Sequence, residues 1–206
     1  MHLKMTMKSG IAGALLLAAG CASRDEGSAL SSPPRSATGI GTETRWLTPR
    51  AILEDYAYPP ATCRDRFRVT NAETVWNITF PKTGYAYAGI VLRRTSNLAA
   101  ARTRTRLEFR IKPGHAAARM SAGLVDGHGV VVDIAAGRPE NFRSDGWTTV
   151  SLPLSSFPDH GVATGTETGA AMTTFDWSAV REFRLISSGD MPNEVVEVGM
   201  LRLIQE

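Results

Sequence analysis

Four tyrosines and a scatter of arginines offer the chemistry in this 206-residue chain. Tyr85 and Tyr87 stand two residues apart, a spacing that puts both rings on one face of a strand. Tyr56 and Tyr58 sit on the entry segment before Pro59-Pro60. Flat aromatic rings beside planar polar groups suit a sugar, whose ring has an apolar side for stacking and hydroxyls for hydrogen bonds. Arg93, Arg106, Arg110, Asp126 and His128 are the candidate polar partners. Packing is the competing role for Tyr85 and Tyr87. Arg106, Glu108 and Arg110 form a mixed-charge row that serves either as cross-strand ion pairs on a solvated face or as a ligand-facing surface. Trp76, Trp147 and Trp177 sit within regular apolar patterns and read as packing or sheet-edge residues.

Catalysis has no comparable support, so no catalytic residue is assigned. His115, His128 and His160 lie in separate loops without metal-ligand spacing, and no metal site is expected. No serine occupies a nucleophile elbow, and Cys63 has no neighbour that would activate it. Asp126 and Asp133 could approach each other across a hairpin, as glycoside hydrolysis would need. Two solvated carboxylates are the simpler reading.

The elements that must position these residues are strands. Apolar and polar residues alternate over Thr74 to Phe80 and over Arg104 to Lys112, where Leu107, Phe109 and Ile111 face one way and Arg106, Glu108 and Arg110 the other. Similar runs cover Cys63 to Val69, Tyr85 to Arg93, Met120 to Asp126, Val130 to Ala135, Thr148 to Leu154, Glu182 to Ser187 and Glu194 to Ile204. Gly127-His128-Gly129 predicts a hairpin turn. Only Asp176 to Arg181 suggests helix, with Asp176 as its N-cap. About nine strands and one short helix, in roughly 160 residues from 46 to 206, make an all-β antiparallel sandwich with a single core.

Residues 1–20 read as an export signal. Lys4 and Lys8 precede an apolar run from Ile11 to Ala19, far short of the about 20 residues that span a bilayer. Ala18-Ala19-Gly20-Cys21 resembles the lipobox of bacterial lipoproteins, although Ala18 stands where Leu is usual. The resemblance implies an acylated Cys21 and a lipid-anchored chain. The competing reading is an ordinary signal peptide cleaved nearby. By the same likeness, Ala22 after the cysteine implies the outer membrane, with the protein facing the periplasm or the cell surface. Cys63 is then alone, buried and inert. Residues 21–45, rich in Ser, Gly, Thr, Pro and Ala, read as a flexible tether. Without Lys4 and Lys8 the balance is 21 basic to 20 acidic residues, so no strongly basic domain argues for nucleic acid.

The order of the strands from Phe67 onward resembles the galactose-binding-like jelly roll of carbohydrate-binding modules, including those appended to bacterial glycanases. The carrying segments are the loop Leu98 to Thr103, then Leu107 to Lys112, Gly123-Leu124-Val125-Asp126, Gly146 to Phe157, Asp176 to Val180 and Glu182 to Ile186. The resemblance implies a jelly-roll fold and a non-catalytic glycan-binding role at the envelope. A sandwich that binds another envelope protein, and no sugar, is the alternative. It would need a contiguous exposed apolar patch. In that family the last strand often carries Asp residues that help hold a structural calcium. Gly199 and Met200 occupy those places here, and Met200 offers no oxygen to an ion that takes six to eight. No cofactor is expected.

Overall fold

The computed structural model describes residues 42–58, 64–70, 73–81, 84–137, 146–164, 172–187 and 195–206, with backbone only for 64–70 and 73. The signal segment, Cys21, the tether up to residue 41, Pro59-Pro60 and Cys63 lie outside them.

Thirteen strands are found among the described residues: β1 (Thr42–Arg45), β2 (Ile52–Tyr58), β3 (Arg64–Thr70), β4 (Glu73–Thr79), β5 (Ala86–Ser96), β6 (Thr105–Lys112), β7 (Met120–Asp126), β8 (Val130–Ala135), β9 (Thr148–Pro153), β10 (His160–Ala163), β11 (Thr173–Thr174), β12 (Val180–Ser187) and β13 (Val195–Gln205). They form two antiparallel sheets, an all-β jelly-roll sandwich. One sheet runs β3-β4-β13-β6-β9, with β1 also paired to β13; the other runs β11-β10-β8-β7-β12-β5-β2.

Each of the nine expected strands has its counterpart. The four additional ones, β1, β2, β10 and β11, carry little alternation because they lie at or near sheet edges, where one row of side chains meets water. Thr42–Arg45, read as the end of the tether, thus belongs to a sheet. Among the described residues, helix is confined to short 3-10 turns such as Gly114–Arg119. The expected helix at Asp176 to Arg181 is a turn followed by β12. Asp176 Oδ1 accepts hydrogen bonds from the Ser178 amide and hydroxyl, which imitates a helix start without continuing it.

The core lies between the sheets. One supplies Trp76, Ile78, Leu107, Phe109 and Ile111; the other supplies Ala88, Ile90, Leu124, Val132, Phe183 and Leu185. Phe109 and Phe183 meet across the interface, ring centres 5.7 Å apart. On β13 the buried positions change parity, from Val196 and Val198 to Leu201 and Leu203. A bulge between Gly199 and Arg202 makes that change, and it holds Met200 at φ 54°. An extra residue there keeps apolar side chains inward on both halves of a long strand. The bulge also divides the far edge of β13 between two partners, β4 along residues 195–199 and β1 along 202–205.

β1 is held by charge as well as by its ladder. Arg202 donates to Glu108 Oε1 (2.5 and 3.0 Å) and to Glu43 Oε2 (3.1 Å), while Glu43 Oε1 accepts from Arg45 (2.6 Å). Hydrogen bonding from Arg45, joined by the Arg202 charge, holds the Glu43 carboxyl below its ordinary range. A carboxylate with a lowered folded pKa stabilises above its unfolded value, and that contribution is lost as pH falls through the folded one. Amide-exchange protection of β1 should therefore drop relative to β4 as pH falls below about 4. Equal retention in both strands would contradict this role.

Candidate functional site

The outward face of the seven-stranded sheet carries the site. Its register sets five residues in a row across five strands: Tyr56, Gly89, Arg184, Gly123 and Asp133. The next row reads Tyr58, Tyr87, Ile186, Ser121 and Ala135. Glycines on both sides of Arg184 leave room for neighbouring side chains to lie against the sheet, as a strand glycine does where another group must approach the backbone closely. A Cβ on Gly123 would stand 3.0 Å from Ile186 Cδ1 and 3.4 Å from Arg184 Cβ. Beside this row opens a groove of about 690 Å³ whose lining includes Tyr58, Tyr85, Tyr87, Asp133, Arg184 and, from β10, Val162.

All four tyrosines of the chain gather at one end. Tyr58 stacks on Tyr87 with centres 5.2 Å apart and planes at 22°. Tyr85 tilts against Tyr87 at 5.8 Å, and Tyr56 meets it edge-on at 5.9 Å. The Arg184 guanidinium lies 4.5 Å from the Tyr87 ring centre. Tyr58 comes from β2 and Arg184 from β12, the two neighbours of β5, and both contact Tyr87. Tyr58 and Tyr85 keep about half of their surface in water (50% and 57%) and are the rings with a face to offer.

Beneath the tyrosines lies a buried ion pair. Arg184 is 7% exposed and Glu182 4%. Arg184 Nε donates to Glu182 Oε1 at 2.5 Å, and the Tyr56 hydroxyl donates to the same oxygen. Burial and then that bond to Glu182 push the Tyr56 phenol well above its usual range; burial also raises Tyr85. Burial works against the Arg184 cation, but the Glu182 bond and charge outweigh it and its pKa rises.

Of the residues singled out from the sequence, Tyr85 and Tyr87 come together in this groove. Arg106 and Arg110 do not join them, because β6 belongs to the other sheet. Arg106 donates to Ser151 Oγ at 2.9 Å; Arg110 lies over Trp147 at 5.0 Å and reaches Met200 Sδ at 3.7 Å. With Glu108 bound to Arg202, that row takes the form of cross-strand pairing. Trp76 and Trp177 are buried, as packing requires. Arg93, six residues beyond Tyr87, donates to the Ile52 carbonyl. Asp126 is fully buried and accepts from the amides of His128, Val130 and Asp176. It clamps the hairpin turn and the β12 entry, which makes it an architectural carboxylate and not a ligand contact. It cannot pair with Asp133 either, since strand alternation points the two to opposite faces of the sheet. His128 is exposed at the turn, 3.8 Å from Asp176.

Sequence reasoning passed over Arg184 and Glu182, and weighed Asp133 only as a partner of Asp126. Two signals were present: charges at every second place in the otherwise apolar run Glu182 to Ile186, and isolated glycines inside two strands. Gly161 lies on β10, next to Val162 of the groove wall. A Cβ there would overlap the Val131 carbonyl, so Gly161→Ala should part β10 from β8 and lower the melting temperature by several degrees, about 2–4 °C per kcal/mol lost. An unchanged melting curve would refute this.

No protein-family model matches the sequence, and no curated protein matches it. The class that the fold defines is a jelly-roll β-sandwich like that of carbohydrate-binding modules. A family 30 carbohydrate-binding module is similar over 80% of this chain and 99% of its own, with TM-score 0.54 and 15% identity. The family 11 module from Clostridium thermocellum, solved in complex with a β-1,3-1,4-mixed-linked tetrasaccharide, is similar over 82% and 98%, with TM-score 0.55 and 15% identity. An exo-β-agarase is similar over 81% of this chain and 25% of its own, with TM-score 0.51 and 13% identity.

Proposed function

We propose that the protein is a non-catalytic carbohydrate-binding module, held at the cell envelope by an acylated Cys21, and that the groove receives a glycan chain. The observation that carries this reading is the tyrosine cluster set beside a guanidinium and a carboxylate. Tyr58 and Tyr85 offer exposed faces for the apolar side of sugar rings, Arg184 supplies fixed donors, and Asp133 supplies an acceptor at the rim. The paired state of Arg184 leaves the groove without excess positive charge, which favours a neutral glycan over a polyanionic one. The mixed-linkage ligand of the family 11 module makes a β-glucan the first to try.

Affinity electrophoresis and calorimetry of the full chain against mixed-linkage β-glucan, agarose and other neutral polysaccharides test the binding. Retention by at least one is expected, and retention by none would overturn the reading. For the anchor, labelling with a palmitate analogue should mark the wild type and not Cys21→Ala; a Cys21→Ala chain that stays in the outer-membrane fraction would argue against acylation as the tether. A protein-binding role calls for one broad apolar patch. Outside the groove, the large exposed apolar residues among those described are Leu53, Met172 and Val195, each in a different part of the chain.

A further inference from the structure

We infer that Glu182, which is shut away from the groove, is its positioning residue: it fixes the plane of Arg184 and, through Arg184, the Tyr87–Tyr58 stack that a ligand would meet. This deepens the proposed function and rests on the groove being the binding site. Glu182 stands in register between Val91 and Val125, both buried, so its carboxylate has no path to a ligand. One of its oxygens accepts from two strands at once, from Tyr56 on β2 and from Arg184 on β12.

The consequence is directional. Arginine presents five N–H donors in a rigid plane. Seizing Nε fixes that plane and leaves the two terminal nitrogens as the donors a ligand can meet. The same group lies 4.5 Å from the Tyr87 ring centre, and Tyr58 stacks on that ring. Orientation thus passes from a buried carboxylate to an exposed ring two strands away. Gly89 is built for the arrangement. It lies in register between Tyr56 and Arg184, and a Cβ there would fall 2.7 Å from Tyr56 Cε1 and 2.8 Å from Glu182 Oε1. Any other residue would drive the three side chains apart.

Glu182→Gln keeps the size and removes the charge. In the full chain it should weaken β-glucan affinity about tenfold, the worth of one charge-assisted hydrogen bond. A double change with Tyr58→Ala should lose no more than the worse single change, because both break one chain of contacts. Losses that multiply would overturn the inference. A second readout needs no ligand. With meta-fluorotyrosine incorporated, fluorine NMR should show the Tyr58 resonance shifted in Glu182→Gln, and an unmoved resonance would refute the relay. If wild type retains no glycan, the proposed function fails while the NMR result still decides this point. Should Glu182→Gln not fold, Arg184→Lys serves instead, since lysine keeps the charge but has no plane to stack; it should shift the same resonance, and an unmoved one would again count against the relay.

Discussion

Arg184→Leu is expected to destabilise the protein by about 3–5 kcal/mol, the scale for removing one member of a buried ion pair. The reason lies in what remains. Glu182 is 4% exposed, and among the described residues the Tyr56 hydroxyl is the donor its oxygen would keep. A carboxylate in that position has lost its counter-charge without gaining water. Urea denaturation of the variant beside wild type measures the loss, and a change below about 1 kcal/mol would show that the pair contributes little. The companion experiment separates charge from packing. With Glu182→Leu added, no uncompensated charge is left, and stability should return to within about 1–2 kcal/mol of wild type or exceed it. Glycan binding should not return, because the fixed donors are gone.

Tyr58→Ala and Tyr85→Ala together should weaken glycan affinity about a hundredfold, roughly tenfold for each ring removed from a stacking platform. Both side chains are half exposed, so the folded state should feel the change little, within about 1 kcal/mol. Tyr87→Ala makes the contrast. That ring contacts both Arg184 and Tyr58, so its loss should lower stability and affinity at once. Calorimetric titration with a β-glucan oligosaccharide, paired with thermal melting, distinguishes the two classes. Undiminished affinity in the Tyr58/Tyr85 double variant would remove the groove from consideration as the binding site.

The strands of the interior were legible because each buries one face and alternates accordingly; Leu107, Phe109 and Ile111 are the plainest case. The edges were not. β1 has no apolar residue in its four, and β11 consists of two threonines. Asp176 misled because an aspartate that caps a helix and one that closes a turn look alike until the following residues pair. For the site, local spacing united Tyr85 with Tyr87 but could not tell which sheet holds Arg106 and Arg110. Nor does local pattern reveal that Arg184 lies between Gly89 and Gly123, since that depends on which strands become neighbours. Asp126 shows the same limit: its three amide partners lie up to 50 residues away.

The division of β13 between β4 and β1 has a geometric outcome. Thr42 pairs with Gln205, so the strand that opens the sandwich and the strand that closes it meet side by side in one sheet, while the groove opens on the outer side of the other. A pull on β1 or on β13 is therefore borne first by the sheet that does not carry the tyrosines.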